Sequence, residues 1–247
     1  MDFTLEKYAQ LLTALRLSGI SFQLRHDVDL LPANSLRIAQ IEKEQELKAT
    51  YYFRMVPESY DEAIIKQIAA LGHTIGYHYE SLTTCNGDIE AAYRDFCDNL
   101  AKLRQLVPVN TICMHGSPRS PYDSRDIWKH YDYHQLGIKY EPYFDTDFSH
   151  TLYITDTGRR WDGYHVSVRD KIPQYQELWE KQGLVFHTTD DIVAQLSNTA
   201  SPLRQLHYGL LITTHPQRWN PLGVRYLMEF GSQMVKNGIK RHLVRRN

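Results

Sequence analysis

Two carboxylates, Asp27 and Asp29, stand two positions apart in the segment RHDVD (Arg25 to Asp29), directly after the β-type run SFQL. In an extended chain residues i and i+2 share a face, so both acids would project together from a strand end. Bare carboxylates that close repel one another and raise one pKa unless a cation or a basic side chain lies between them. The spacing therefore points to a bound metal. Three histidines have comparable settings, His78 in YHY, His115 in MHG and His215 in THP, each after an apolar, β-rich segment. Carboxylate oxygens and imidazole nitrogens that leave positions open for water form catalytic rather than structural metal sites. The chemistry such a set could perform is metal-assisted hydrolysis, with an acid and an imidazole moving protons.

These groups have to be carried by elements that bring strand ends together. DFTLEKYAQLLTALRL has the apolar spacing of an amphipathic helix, and SGI turns the chain into the strand SFQLRHDVD. Asn34 is expected to cap the helix SLRIAQIEKEQELK, which leads to the strand ATYYFR; SYDEAIIKQIAALG and HTIGYHY repeat the cycle. GDIEAAYRDFCDNLAKLRQLV reads as a long helix, followed by the strand NTICMHG. In the middle third DSRDIWKHY reads as helical and IKYEPYFD and HTLYITD as strands; later YHVSV and LVFH are candidate strands. TTDDIVAQLSN carries a capping box, GLLITTHP is a final strand, and a closing helix runs from about Pro221 into IKRHLVRRN. Such alternation predicts parallel strands with covering helices, and about seven strands could close into a barrel. Catalytic groups of such barrels gather where strands end, and Asp27, Asp29, His78, His115, Asp156 and His215 all occupy that position.

Composition narrows the classes. Of 247 residues, 42% are hydrophobic and 23% charged, enough apolar side chain for a sizeable core. No linker-like stretch divides the chain, so a single domain over 1–247 is expected. The 28 basic and 29 acidic residues nearly cancel, which argues against nucleic acid as the main partner. The first residues lack the basic start and apolar core of a secretory signal, and no run reaches membrane-spanning length. Cys85, Cys97 and Cys113 have no CxxC spacing, which argues against a disulfide framework or a cysteine zinc site. A reducing cytoplasm is the expected compartment. There is no GxSxG elbow, P-loop or dinucleotide fingerprint.

The pattern resembles the polysaccharide deacetylase, or NodB-like, family of metal-dependent enzymes. GHTIGYH (Gly72 to His78) is similar over its whole length to that family's GHEIGxH segment, and RHDVD to the Asp pair that opens its site. The resemblance implies an α/β fold, a deformed (β/α) barrel, with Asp27 as general base and Asp29 and His78 as ligands of a divalent metal, zinc being expected. The family usually has a second ligand four residues after the first, where this chain has Leu82, which cannot bind a cation. His115 is the expected substitute, with Glu80 and His26 as alternatives. RSPY (Arg119 to Tyr122) is similar to the family's third motif, in which an Arg holds the catalytic Asp, and marks Arg119 and Tyr122 as substrate-side residues. TDTGRRWDG (Thr155 to Gly163) looks like the loop of the fourth motif, so Asp156 would orient a charged neighbour and Trp161 would wall the pocket. Separately from the resemblance, Arg159, Arg160 and Arg25 could bind an anionic sugar or phosphate. LLITTHP resembles the strand whose terminal histidine is the general acid, which assigns that role to His215.

The activity so implied is removal of an N-acetyl group from a sugar or polysaccharide precursor. Leu82 favours a competing reading, a carbohydrate-binding or scaffold protein on the same barrel without the usual metal triad. A hydrolase of another C–N bond, such as a ring amide, is the third. Some features have ordinary structural readings: arginines in loops are usually solvated or paired, and the basic tail KRHLVRR suits a helix C-terminus.

Overall fold

The structure, a computed structural model, describes residues 1–117, 120–165, 167 and 169–244. The chain runs α1 (Leu5–Ser18), β1 (Phe22–Val28), α2 (Pro32–Glu44), β2 (Thr50–Phe53), α3 (Glu62–Ala70), β3 (Thr74–Tyr79), α4 (Ser81–Thr84), α5 (Ile89–Arg104) and β4 (Ile112–Met114). It continues with α6 (Pro142–Asp145), β5 (Thr151–Thr155), α7 (Pro173–Lys181), α8 (Thr189–Ser197), α9 (Pro202–Gln205), β6 (Gly209–Thr214) and α10 (Val224–Val244). Six strands pair in the order β4-β3-β2-β1-β6-β5, every pairing parallel. They curl into a half-barrel with helices around it. Among the described residues no ladder joins β4 to β5. No helix there is long and apolar enough to cross a membrane.

Local chemistry explains most of these elements. Thr4, Asp61 and Asp88 each accept a backbone N–H at the start of α1, α3 and α5, satisfying donors the helix leaves unpaired. The capping box at the start of α8 is present, Thr188 and Asp191 satisfying one another's backbone. Strands β1, β2, β3 and β6 are buried almost end to end, as strands covered on both faces must be.

Several expectations change. The sheet has six strands rather than about seven. IKYEPYFD contributes one isolated bridge, Thr111 to Tyr140, and then turns into α6, because Pro142 cannot donate to a ladder and Glu141 caps the turn through Tyr143 N. LVFH forms no strand; its period-2 pattern arises because Leu184 and Phe186 tuck into the core from irregular chain. In YHVSV, Gly163–His165 is a single 3-10 turn, and Val166 and Val168 lie outside the described residues. DSRDIWKHY coils as a 3-10 helix over Ser124–Lys129. Helix α2 starts at Pro32 after Leu31 rather than at Asn34, whose buried amide instead donates to Asn220 Oδ1 at 3.0 Å.

Beneath the sheet lies a buried polar network. Glu42, fully buried, accepts from Tyr8 at 2.6 Å and from Tyr51, and pairs with His26 Nε2 at 2.7 Å. His26 Nδ1 bonds Thr214 Oγ1 at 2.7 Å. His73 accepts from Ala49 N and faces Ala39 O with its other nitrogen. With both ring nitrogens engaged, His26 has no free donor for a metal, and His73 is likewise part of the scaffold.

Gly76 in GHTIGYH serves packing. A Cβ there would lie 2.4 Å from two ring carbons of Tyr52, itself buried and bonded to Thr111 Oγ1 at 2.7 Å. Gly76→Ala is expected to cost ~1–3 kcal/mol by overpacking, read as a lowered urea midpoint; an unchanged midpoint would contradict this close approach.

Candidate metal centre

Parallel register delivers the strand ends to one rim. His78 pairs with Cys113 across β3 and β4, Asp27 with Tyr52 across β1 and β2, and Thr155 with Thr213 across β5 and β6. The residues just beyond, Asp29, His115, Asp156 and His215, therefore lie beside one another. Asp27, Asp29, His78, His115 and His215 line a pocket of about 130 Å³, with Met114, Tyr143, Arg169 and Asp170 among its other walls.

Asp29, His78 and His115 each present one donor atom, and the three lie within 4.8 Å of one another. His115 Nδ1 is 3.2 Å from Asp29 Oδ1 and 3.3 Å from His78 Nε2, and His78 Nε2 is 3.6 Å from Asp29 Oδ1. Asp29 Oδ1 is buried with no hydrogen-bond partner, while Oδ2 accepts from Gln217 Nε2 at 3.2 Å. Burial would raise the Asp29 pKa, but His115, His78 and His215 outweigh it and hold the carboxyl well below its usual range. Cys113 O lies 2.9 Å from His78 Nδ1, so that nitrogen carries the hydrogen and Nε2 turns its lone pair to the pocket. On His115, Nε2 lies 3.8 Å from Glu80 Oε2. Glu80 is itself paired with Arg54 at 2.7 Å, and Arg54 Nη1 donates to Asp29 O at 3.1 Å. An orphaned carboxylate oxygen facing two imidazole nitrogens is a donor set that fits a divalent cation.

Asp27, His78 and Cys113 also cluster, but they fit a metal less well. Burial pushes the Cys113 thiol well above its usual pKa, and a metal ligand must be the thiolate. Asp27 is already taken by a bidentate fork, Arg25 Nε to Oδ1 at 2.8 Å and Nη2 to Oδ2 at 2.6 Å.

His215 stands on the opposite wall, its Nε2 3.8 Å from Asp29 Oδ2. Behind it is Asp156, fully buried, 2.6 Å from His215 Nδ1 and accepting from His215 N at 3.0 Å, Trp219 Nε1 at 2.8 Å and Arg218 Nη1 at 2.6 Å. Burial and Arg218 both lower the His215 pKa, but Asp156 and Asp29 more than compensate and leave it raised.

Other sequence-marked residues lie elsewhere. Arg159 is buried beside Glu229, its guanidinium over the Tyr226 ring at 4.1 Å, because α10 packs across its loop. Trp161 stacks with Phe3 and donates to Thr189 Oγ1, sealing the core rather than walling this pocket. Tyr122 is exposed against Gly87. Arg119 lies outside the described residues. Arg25, in the expected first motif, grips Asp27; the two are i and i+2 on one strand, so alternation alone could have paired them. Arg218 and Asp170, which no sequence motif marks, also line this pocket. Asp170 accepts from Thr155 Oγ1 at 2.7 Å, Tyr143 at 3.3 Å, Tyr153 and Thr157. Burial would raise its pKa, but His215, Arg25 and the Thr157 and Tyr153 hydroxyls bring it down to about 2. No local pattern in VRDK marks it.

Among solved structures, the chain is similar to Bacillus subtilis PdaA, described as a family 4 carbohydrate esterase, at 10% identity and TM-score 0.42, covering 93% of this chain and 84% of that one. It is also similar to BA3943 of Bacillus anthracis, described as a CE4 family pseudoenzyme, at 12% identity and TM-score 0.40, covering 89% of this chain and 61% of that one. A mutant of BA3943 described as having restored enzymatic activity aligns at TM-score 0.41 and 12% identity, over 89% of this chain and 63% of that one. The chain thus spans less than two thirds of the length of BA3943. No family model and no curated protein matches it.

Proposed function

We propose that this protein is a metal-dependent hydrolase that removes an N-acetyl group from a carbohydrate or sugar precursor. One observation carries the reading: the unpartnered Asp29 Oδ1 faces His78 Nε2 and His115 Nδ1 across a pocket whose far wall is an aspartate-backed histidine. The motifs GHTIGYH and RHDVD support the substrate class.

Asp29, His78 and His115 would hold the ion, and zinc suits a set of two nitrogens and one oxygen. Such an ion, when bound, lowers the pKa of water toward ~7 and polarises a carbonyl. Asp27 takes the proton of the attacking water; the Arg25 fork orients it, and its Oδ2 lies 3.7 Å from His78 Nε2. His215 Nε2 faces the pocket as proton donor to the departing amine, while Asp156 fixes its ring through Nδ1. Leu82 fills no ligand position; it is buried in a small apolar cluster with Ala92 and Ile127.

Zinc-loaded protein is expected to bind one equivalent of metal and to release free amine from N-acetylglucosamine derivatives, followed by amine-reactive fluorescence. Stoichiometric zinc without amine release from any N-acetylated sugar would sink the deacetylase reading and favour hydrolysis of another amide. Absence of bound zinc would favour the carbohydrate-binding alternative.

A further inference from the structure

Beside the inner pocket lies a second, larger cleft of about 640 Å³, and Tyr143 and Arg169 belong to the walls of both. Its volume falls in the range of small-molecule sites. Three cations line it, Arg125, Arg169 and Lys171, against one carboxylate, Asp123. Asp123 is shared: Arg125 grips it with Nε at 3.0 Å and Nη2 at 2.6 Å, and Arg169 Nη1 reaches it at 3.2 Å. Lys171 has no ion partner among the described residues, and Arg169 Nε is a buried donor left without one. The cleft therefore holds two positive charges more than its own acid balances.

The aromatic lining links this surplus charge to the candidate centre. Tyr143 lies between two guanidinium groups, Arg25 and Arg125, each 5.1 Å from its ring centre. Arg25 is the residue that holds Asp27, so the Arg25 guanidinium and the Tyr143 ring link the proposed base to the cationic cleft. The stem of Arg169 crosses directly over Gly116, next after His115, where a Cβ would come within 2.9 Å of Arg169 Cβ. A molecule reaching from Asp29 and His115 into the larger cleft would meet Tyr143 and Arg169, the residues common to both walls.

We propose that this outer cleft seats an oxyanion, a phosphate or a carboxylate, carried by the same molecule whose acyl group enters the inner pocket. Lys171 and the Arg125–Asp123–Arg169 cluster supply its counter-charge, and Phe148 and Tyr175 offer apolar faces to the sugar between. The assignment rests on the hydrolase reading for the identity of the inner group, but the anion seat can be tested without turnover.

The test is calorimetric binding of three probes to the whole chain: N-acetylglucosamine, its 1-phosphate, and the corresponding N-acetylated uronate. At low salt, at least one charged sugar is expected to bind roughly tenfold tighter than the neutral one, the advantage shrinking as ionic strength rises. Lys171→Gln should reduce that ratio toward one, and Arg169→Gln likewise; Lys48→Gln, an exposed site at the other end of the sheet, should leave it intact. Whichever charged sugar keeps the advantage identifies phosphate or carboxylate as the group. Equal affinity for all three, no binding by any, or a ratio insensitive to Lys171→Gln overturns the proposal. A charge preference without amine release from any probe keeps the anion seat and removes the deacetylase reading alone.

Discussion

Asp29→Ala is expected to purify without bound divalent metal and without measurable amine release, the largest loss of any single substitution in the pocket. Its Oδ1 is the one candidate donor that is anionic, buried and unpartnered, and both imidazole nitrogens converge on it. Removing it leaves two imidazole ligands and no anionic one to offset a dication, a harsher change than the outer-shell substitutions that cost ~10- to 100-fold in metal affinity. His115→Ala should share the defect, because its Nδ1 supplies the third donor in the position that Leu82 leaves vacant in sequence. Cys113→Ser should retain the metal, since its thiol is buried and protonated and belongs to the less suitable cluster. Elemental analysis of the three variants decides the matter: a full equivalent of metal in Asp29→Ala, or its loss in Cys113→Ser alone, would assign the ligands wrongly.

The second large effect concerns the opposite wall. His215→Ala should keep its metal yet lose ~10²- to 10⁴-fold in rate, the usual contribution of a positioned proton donor. Asp156→Asn should act through His215. Burial and Arg218 both push the imidazole toward the neutral form, and Asp156 is the nearest group opposing them. Replacing the carboxylate with an amide therefore lowers the His215 pKa, so the alkaline limb of kcat/KM, where the proton donor is lost, moves to lower pH. A merely structural Asp156 would reduce activity at every pH without moving that limb. Asp156→Ala carries a separate stability cost. Arg218, 7% exposed, would lose its carboxylate partner inside the fold, and an uncompensated buried charge typically costs ~3–5 kcal/mol. Asp156→Asn removes the same negative charge, so denaturant unfolding of both variants against the unsubstituted protein reads this cost apart from the shift of the kinetic limb; unchanged midpoints would argue that Arg218 finds another partner.

Much of the architecture was legible along the chain because its causes are local. The caps at Asp61 and Asp88, the box at Thr188 and Asp191, and the apolar strand runs are written in neighbouring residues, and they specify α3, α5, α8 and the inner strands without reference to the rest. Failures occurred where local pattern and tertiary role diverge. Leu184 and Phe186 alternate like a strand but are coil side chains anchored in the core, and Asn34 has a cap's chemistry but spends its amide on Asn220, far along the chain.

The candidate site divides the same way. From sequence came the residue types and their strand-end positions, because parallel strands with period-2 side chains put Asp27, Asp29, His78, His115 and His215 at one rim whatever the details of packing. Only the folded chain decided which of them face each other. It turned His26 into the Glu42 network, aimed His115 at Asp29, drew Arg159 under α10, and set a cationic cleft beside Tyr143. Those outcomes depend on contacts between segments far apart along the chain, set by helix packing and sheet curl, and no spacing within one segment encodes them.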